Sequence, residues 1–194
     1  MLWMLMSFVI LILFYGIYFG KMILQKRKGI QTDQIAKREI KDKVYYIELV
    51  LKVTTFSIVP VEVVSILMDW SCLPTAFRIA GIVLGLGGDL IFGIAVWTMK
   101  DSWRAGIAEN DKTEMIQDGI YKYSRNPAFL GFDMVYIGIA IVYCNPLLII
   151  FTVFAIVMLH IQIKQEEAYL PTVFGDEYIC YCKQVSRYLG RKMI

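Results

Sequence analysis

Asn145-Pro146 splits a long apolar stretch into two arms, residues 127–143 and 147–163. Proline lacks a backbone N–H and restricts φ, so one continuous helix cannot run through this point and the chain turns back. Each arm has 17 residues. At ~1.5 Å rise per residue that is about 26 Å, just enough to cross a hydrocarbon layer of roughly 30 Å. The expectation is a tightly drawn antiparallel hairpin. Counting 20 residues each way from Pro146 reaches Asn126 and Glu166. Arg125-Asn126-Pro127 and Glu166-Glu167 should therefore share one end of the hairpin.

Composition supports a lipid setting. Of 194 residues 58% are hydrophobic, with a mean hydropathy of +0.57, more apolar surface than a soluble domain of this size buries. The expected fold is all-α and polytopic, with about five transmembrane helices. The opening residues 1–20 carry no charge and lack the basic leader of a signal peptide, so they read as a retained first span. Seven Lys/Arg fall in residues 25–43, five in 100–126 and five in 164–194, and none in 69–76. The positive-inside rule then puts the amino terminus outside and the carboxyl terminus in the cytoplasm. Basic residues bracket apolar runs, so topology rather than nucleic-acid binding explains them. Four scattered cysteines suit neither a disulfide framework nor a zinc site, and no metal is expected.

Along the chain, the first span is residues 2–24 and the connector 25–43 is expected to be a surface helix. The second span, 44–68, carries Glu48 and Lys52 at the i,i+4 spacing of an ion pair, and Glu62 beyond a possible Pro60 kink. The third, 77–99, contains Gly85-Leu86-Gly87-Gly88-Asp89. With no strand before it this is not a nucleotide loop; Gly81 and Gly85 instead have the small-xxx-small spacing of close helix packing. Asp89 must be protonated, paired or facing a wet cavity. Trp103-Arg104 serves either as a headgroup-level anchor or in a site. Asp133 lies 13 residues before Pro146 and His160 14 after it, which predicts a structural pair.

One combination of short motifs is specific. Gly119-Ile120-Tyr121, Arg125-Asn126-Pro127-Ala128-Phe129, the hairpin, Glu166-Glu167-Ala168-Tyr169-Leu170 and Phe174-Gly175-Asp176-Glu177-Tyr178 together resemble the isoprenylcysteine carboxyl methyltransferase family over about 70 residues. Members of that family, like the related phospholipid N-methyltransferases, are integral membrane enzymes that use S-adenosylmethionine. The resemblance implies a cytoplasmic cofactor pocket lined by Gly119, Tyr121, Arg125, Asn126, Pro127, Phe129 and Glu166. Carboxylates suit the sulfonium and ammonium of that cofactor, and Arg125 its carboxylate. The two glutamates, about 100° apart on a helix, cannot address one atom. Glu167 either orients the acceptor or pairs with Lys164. Glu167, Arg104 and Arg187 are the candidates for catalysis, the arginines by engaging an anionic acceptor or else acidic headgroups. Tyr178 and Tyr181 belong to an expected amphipathic helix lying on the membrane. Two departures stand out: Asn126 replaces the family's usual histidine and Phe129 its frequent tyrosine. Asn126 cannot titrate, so a base at that position is closed.

These residues divide the chain into an amino-terminal half, 1–99, and a catalytic part, 100–194. The implied partners are membrane lipids and a lipophilic small-molecule or lipid acceptor bearing a carboxylate, thiol or amine. Two other readings stay open: an NADPH-dependent reductase resembling sterol reductases, which would want more basic residues than Lys122 and Arg125, and a non-enzymatic scaffold or transporter. For the latter, five spans without an internal repeat fit poorly.

Overall fold

The computed structural model describes residues 1–38, 40–107 and 113–191. Five α-helices carry the chain: α1 (Leu2–Arg27), α2 (Lys43–Met68), α3 (Thr75–Met99), α4 (Pro127–Val142) and α5 (Pro146–Gln184), with 3₁₀ turns at Lys100–Ser102 and Gly119–Lys122. Four are long and apolar enough to cross a membrane, and α4 is a shorter apolar helix of 16 residues. The chain is an all-α polytopic membrane protein. Among the described residues extended pairing is limited to two isolated bridges.

The turn at Asn145-Pro146 forms as the sequence predicts. Asn145 caps α5 by accepting the Leu148 N–H at 3.0 Å, and its amide donates to Ser65 Oγ at 3.0 Å. Proline at the first helical position has no N–H to leave unsatisfied. The arms, however, pack on other helices more than on each other. Helix α4 lies against α3 along paired glycines: a Cβ on Gly138 would stand 2.7 Å from the Gly81 carbonyl oxygen, and one on Gly88 would stand 2.8 Å from that of Gly131. Gly81 and Gly85 thus meet Gly138, a partner on α4 seven residues from Gly131. Helix α5 lies mainly against α2. An aromatic cluster closes the middle, with Phe14 to Phe132 at 4.6 Å and Phe92 to Phe132 at 5.0 Å between ring centroids.

Several local expectations give way to tertiary contacts. The connector after α1 is not a helix. Gly29 turns it at φ +76°, and the Gln34 N–H donates to the Ala105 carbonyl at 2.8 Å while the Ala105 N–H donates to that of Thr32 at 3.0 Å. Its backbone is satisfied by the 101–107 segment, leaving no need for a helix. Lys52 pairs with Asp33 at 3.1 Å rather than with Glu48, because that connector brings an acid to the inner end of α2. Glu48, fully buried, instead accepts the Ala36 N–H at 2.9 Å. The Asp133–His160 pair does not form either. His160 Nδ1 lies 2.6 Å from the Tyr188 hydroxyl, and Asp133 Oδ1 is buried without a partner. Similar depth fails to produce contact because α4 turns toward α3 and the chain after α5 folds back to meet His160. Trp103 is 4% exposed, packed edge-on against Tyr18 at 5.6 Å, so it is a core residue rather than a headgroup anchor.

Helix α5 runs without interruption from Pro146 to Phe174, 29 residues or about 44 Å at ~1.5 Å per residue, and overshoots a bilayer core of roughly 30 Å. Its segment beyond Ile163 projects Glu166 to Phe174 past the end of the span. Gly175, at φ 55° and ψ −135°, then breaks the helix and redirects the last turns. Tyr178, Tyr181 and Val185 pack there as a small buried cluster.

Candidate functional site

The shared end of α4 and α5 is polar and closely tied. Arg125, at the edge of α4, sends its guanidinium to Glu167 Oε1 at 3.0 Å, with side chains only 9% and 10% exposed. Asn126 donates to the same oxygen at 2.9 Å and to the Arg187 carbonyl at 3.2 Å. Arg187 completes the group at 2.7 Å from Glu167 Oε2, and this carboxylate raises the already high pKa of its guanidinium. Glu167 therefore binds α4, α5 and the terminal strap together. It pairs with two arginines rather than with Lys164, because its helical face turns inward toward α4.

The strap itself is fixed by backbone. The Arg125 N–H donates to the Ser186 carbonyl at 3.1 Å and the Gly190 N–H to that of Tyr123 at 2.8 Å. Below it, the Tyr181 hydroxyl donates to the Tyr121 carbonyl at 2.6 Å. Burial pushes the Tyr121 phenol far above its ordinary pKa, so it stays neutral.

Glu166 faces the other way. It lines a cavity of about 250 Å³ together with Tyr121, Arg125, Asn126, Phe129 and Arg104. Its hydrogen-bond donor is Gln162 at 3.0 Å. Of the ten candidate catalytic and cofactor-binding residues, these six reach the cavity wall. Gly119, Pro127, Glu167 and Arg187 do not: Gly119 turns the chain at φ +57° beside Thr98, Pro127 starts α4, and Glu167 and Arg187 are held in the cluster behind. The wall also includes Trp103, Ile107, Tyr169 and Phe174. Gln162 was legible as a polar residue four before Glu166 inside a span; Ile107 carried no signal.

A second cavity, of about 380 Å³, runs between α1, α2, α4 and α5 and is almost wholly apolar, lined by Phe14, Leu51, Phe56, Phe132 and Leu159 among others. The two cavities share Trp103, Arg104, Gly106, Ala128 and Phe129 as a common wall. A chamber of mixed lining, with Arg125, Asn126 and Glu166 on its wall, thus adjoins at the rim an almost wholly apolar one within the helices.

Buried arginine, amide and carboxylate at the rim of a short apolar hairpin define a helical membrane protein with a ligand-sized chamber of mixed lining. More specifically, residues 81–172 match the family model of the isoprenylcysteine carboxyl methyltransferase (ICMT) family, and over that stretch the chain is similar to it. The match begins inside α3, well before the motif-bearing stretch, and ends before Phe174. The chain is 32% identical over 108 residues to a probable protein-S-isoprenylcysteine O-methyltransferase of Oryza sativa subsp. indica, covering 54% of this chain and 56% of that protein. It is 29% identical over 122 residues to the protein-S-isoprenylcysteine O-methyltransferase of Saccharomyces cerevisiae, covering 61% of this chain and 51% of that one. With the Xenopus laevis enzyme it shares 27% identity over 115 residues, 57% of this chain and 40% of that protein. The aligned region thus spans about half the length of the curated relatives it matches.

Proposed function

We propose that the protein transfers a methyl group from S-adenosylmethionine to a lipophilic acceptor at the cytoplasmic membrane face. The observation that carries this reading is the common wall of the two cavities: a water-soluble donor suits the one that bears Arg125 and Glu166, and a hydrocarbon chain the apolar one. The acceptor class follows from the relatives' names, an S-isoprenylcysteine carboxylate, though a thiol or amine on a similar chain fits the same space.

The residues suit the donor. Arg125 Nε is buried without a hydrogen-bond partner while Nη2 is held by Glu167, which leaves the Nε–H for a carboxylate. Glu166 would take the ammonium, and Tyr121, Phe129 and Tyr169 offer aromatic surface to the nucleoside. When bound, the sulfonium supplies an electrophilic methyl group. The protein's share is placement and exclusion of water, which can contribute on the order of 7–11 kcal/mol when donor and acceptor are well aligned. Arg104, on the common wall, is positioned to meet an anionic acceptor. Glu167 and Arg187, tied to each other and to Arg125, act as positioning residues. A carboxylate acceptor needs no base, in keeping with Asn126 at the chamber.

The test is calorimetry on the detergent-solubilised chain with S-adenosylhomocysteine and NADPH in parallel, followed by methyl transfer to S-farnesylcysteine. Binding of the first ligand and a base-labile methyl ester are expected. Binding of NADPH alone would replace this proposal with the reductase.

A further inference from the structure

At the end of the bundle opposite the Glu166 rim, two turns each present a cysteine. The α2–α3 loop, residues 69–74, carries Cys72, and the turn between α4 and α5 carries Cys144. They stand 72 positions apart in the chain, so no local spacing reveals them as a pair. The Cys72 thiol donates to the Cys144 carbonyl at 3.1 Å, and the two thiols lie within hydrogen-bonding reach of each other. Both are free, Cys72 exposed and Cys144 half-buried. Cys180 and Cys182 follow the Gly175 break at the rim end and cannot compete for either.

The two sulfurs are mounted differently. Cys144 sits between fixed neighbours: the Tyr143 N–H donates to the Ile139 carbonyl at 2.9 Å, and the Asn145 side chain caps α5. Cys72 belongs to an irregular loop that leaves α2 through the left-handed Asp69 and enters α3 at Pro74. Side-chain rotation of Cys72 with a small shift of this loop closes thiol contact to the ~2.05 Å of a disulfide without moving a helix.

We propose that Cys72 and Cys144 form a thiol–disulfide exchange site, which a low-molecular-weight disulfide converts to one intramolecular bond clipping the α2–α3 loop to the hairpin turn. The exposed Cys72 thiolate attacks the incoming disulfide, forms a mixed disulfide and expels one thiolate. Cys144 then loses its proton to water, attacks the Cys72 sulfur and expels the second. The two protein thiols are oxidised by two electrons, and the small disulfide is reduced to two thiols. The Cys72 hydrogen bond and burial raise the Cys144 pKa, in keeping with its acting second. The proposed topology puts this end outside the cytoplasm, where disulfides persist.

The test treats the reduced, solubilised full chain with oxidised glutathione, blocks the remaining thiols with N-ethylmaleimide and maps the digest by mass spectrometry. A peptide linked through Cys72 and Cys144 is expected, with no lasting glutathione adduct on either. Closing so long a loop should raise the melting temperature of the oxidised chain by about 4 °C or more. In Cys72→Ser and in Cys144→Ser the remaining cysteine should keep its glutathione and the rise should vanish. Both substitutions fall in turns outside the core, and the melting temperature of each reduced variant checks its folding. Glutathione persisting on Cys72 and Cys144 together in the wild type, or Cys72 linked only to Cys180, Cys182 or a second chain, would overturn the proposal.

Discussion

Glu166 and Glu167 are neighbours with opposite duties, and substituting each by glutamine separates them. Glu167 sits 3.0 Å from Arg125 and 2.7 Å from Arg187, with Asn126 donating at 2.9 Å. Glu167→Gln keeps the shape but removes the charge, leaving Arg125, 9% exposed, without its counter-ion. Breaking a buried pair costs about 3–5 kcal/mol, and the low end applies because Arg187 is 37% exposed and partly solvated. At roughly 2–4 °C per kcal/mol for a chain of this length, a cost of about 3 kcal/mol lowers the melting temperature by about 6–12 °C. Glu166→Gln should leave the melting temperature nearly unchanged, since its donor is one neutral amide, Gln162. Losing the charge-assisted bond to the cofactor ammonium, worth about 1.5–3 kcal/mol, should weaken S-adenosylhomocysteine roughly 10- to 100-fold. Differential scanning fluorimetry and calorimetry on the two purified variants read both quantities. The reasoning fails if Glu167→Gln melts like the wild type, or if Glu166→Gln binds the ligand with unchanged affinity.

Other outcomes follow from single contacts. A Cβ on Gly138 would lie 2.7 Å from both the Gly81 oxygen and the Gly85 nitrogen, all backbone, so Gly138→Leu should separate α3 from α4 and cost at least about 3 kcal/mol, measured by thermal melting. Tyr181→Phe strips the Tyr121 carbonyl of its 2.6 Å donor and should destabilise by about 1–3 kcal/mol. Cys72 Sγ donates to the Cys144 carbonyl at 3.1 Å, which sets the α2–α3 loop beside the hairpin turn. A short bismaleimide added to intact cells after mild reduction should therefore link these two cysteines and spare Cys180; labelling of Cys180 alone would invert the proposed topology.

Much of the site was legible because it depends on spacing along one hairpin. Pro146 fixes the turn, equal arms fix the register, and Arg125, Asn126 and Glu167 meet as that count requires. What failed were pairings between side chains whose rotation about the helix axis the sequence leaves open. His160 finds Tyr188 rather than Asp133, and Lys52 finds Asp33 rather than Glu48. In each case a segment without periodic pattern, the terminal strap or the connector after α1, supplies the partner. Such segments are placed by the satisfaction of backbone groups against distant chain, as at Thr32 and Ala105, and no local rule encodes that choice.

By itself the sequence determined the five apolar spans, the hairpin and the residues gathered at its rim, since hydropathy and proline act locally; it did not set helix lengths, because the expected connector helix is absent and α5 runs past residue 163. Tertiary structure alone decided that α4 docks on α3 through Gly131 and Gly138, that Glu166 faces the chamber while Glu167 locks it, and that an apolar cavity adjoins that chamber. The physical reason is that helix rotation and the space between helices are set by close packing among all the elements at once.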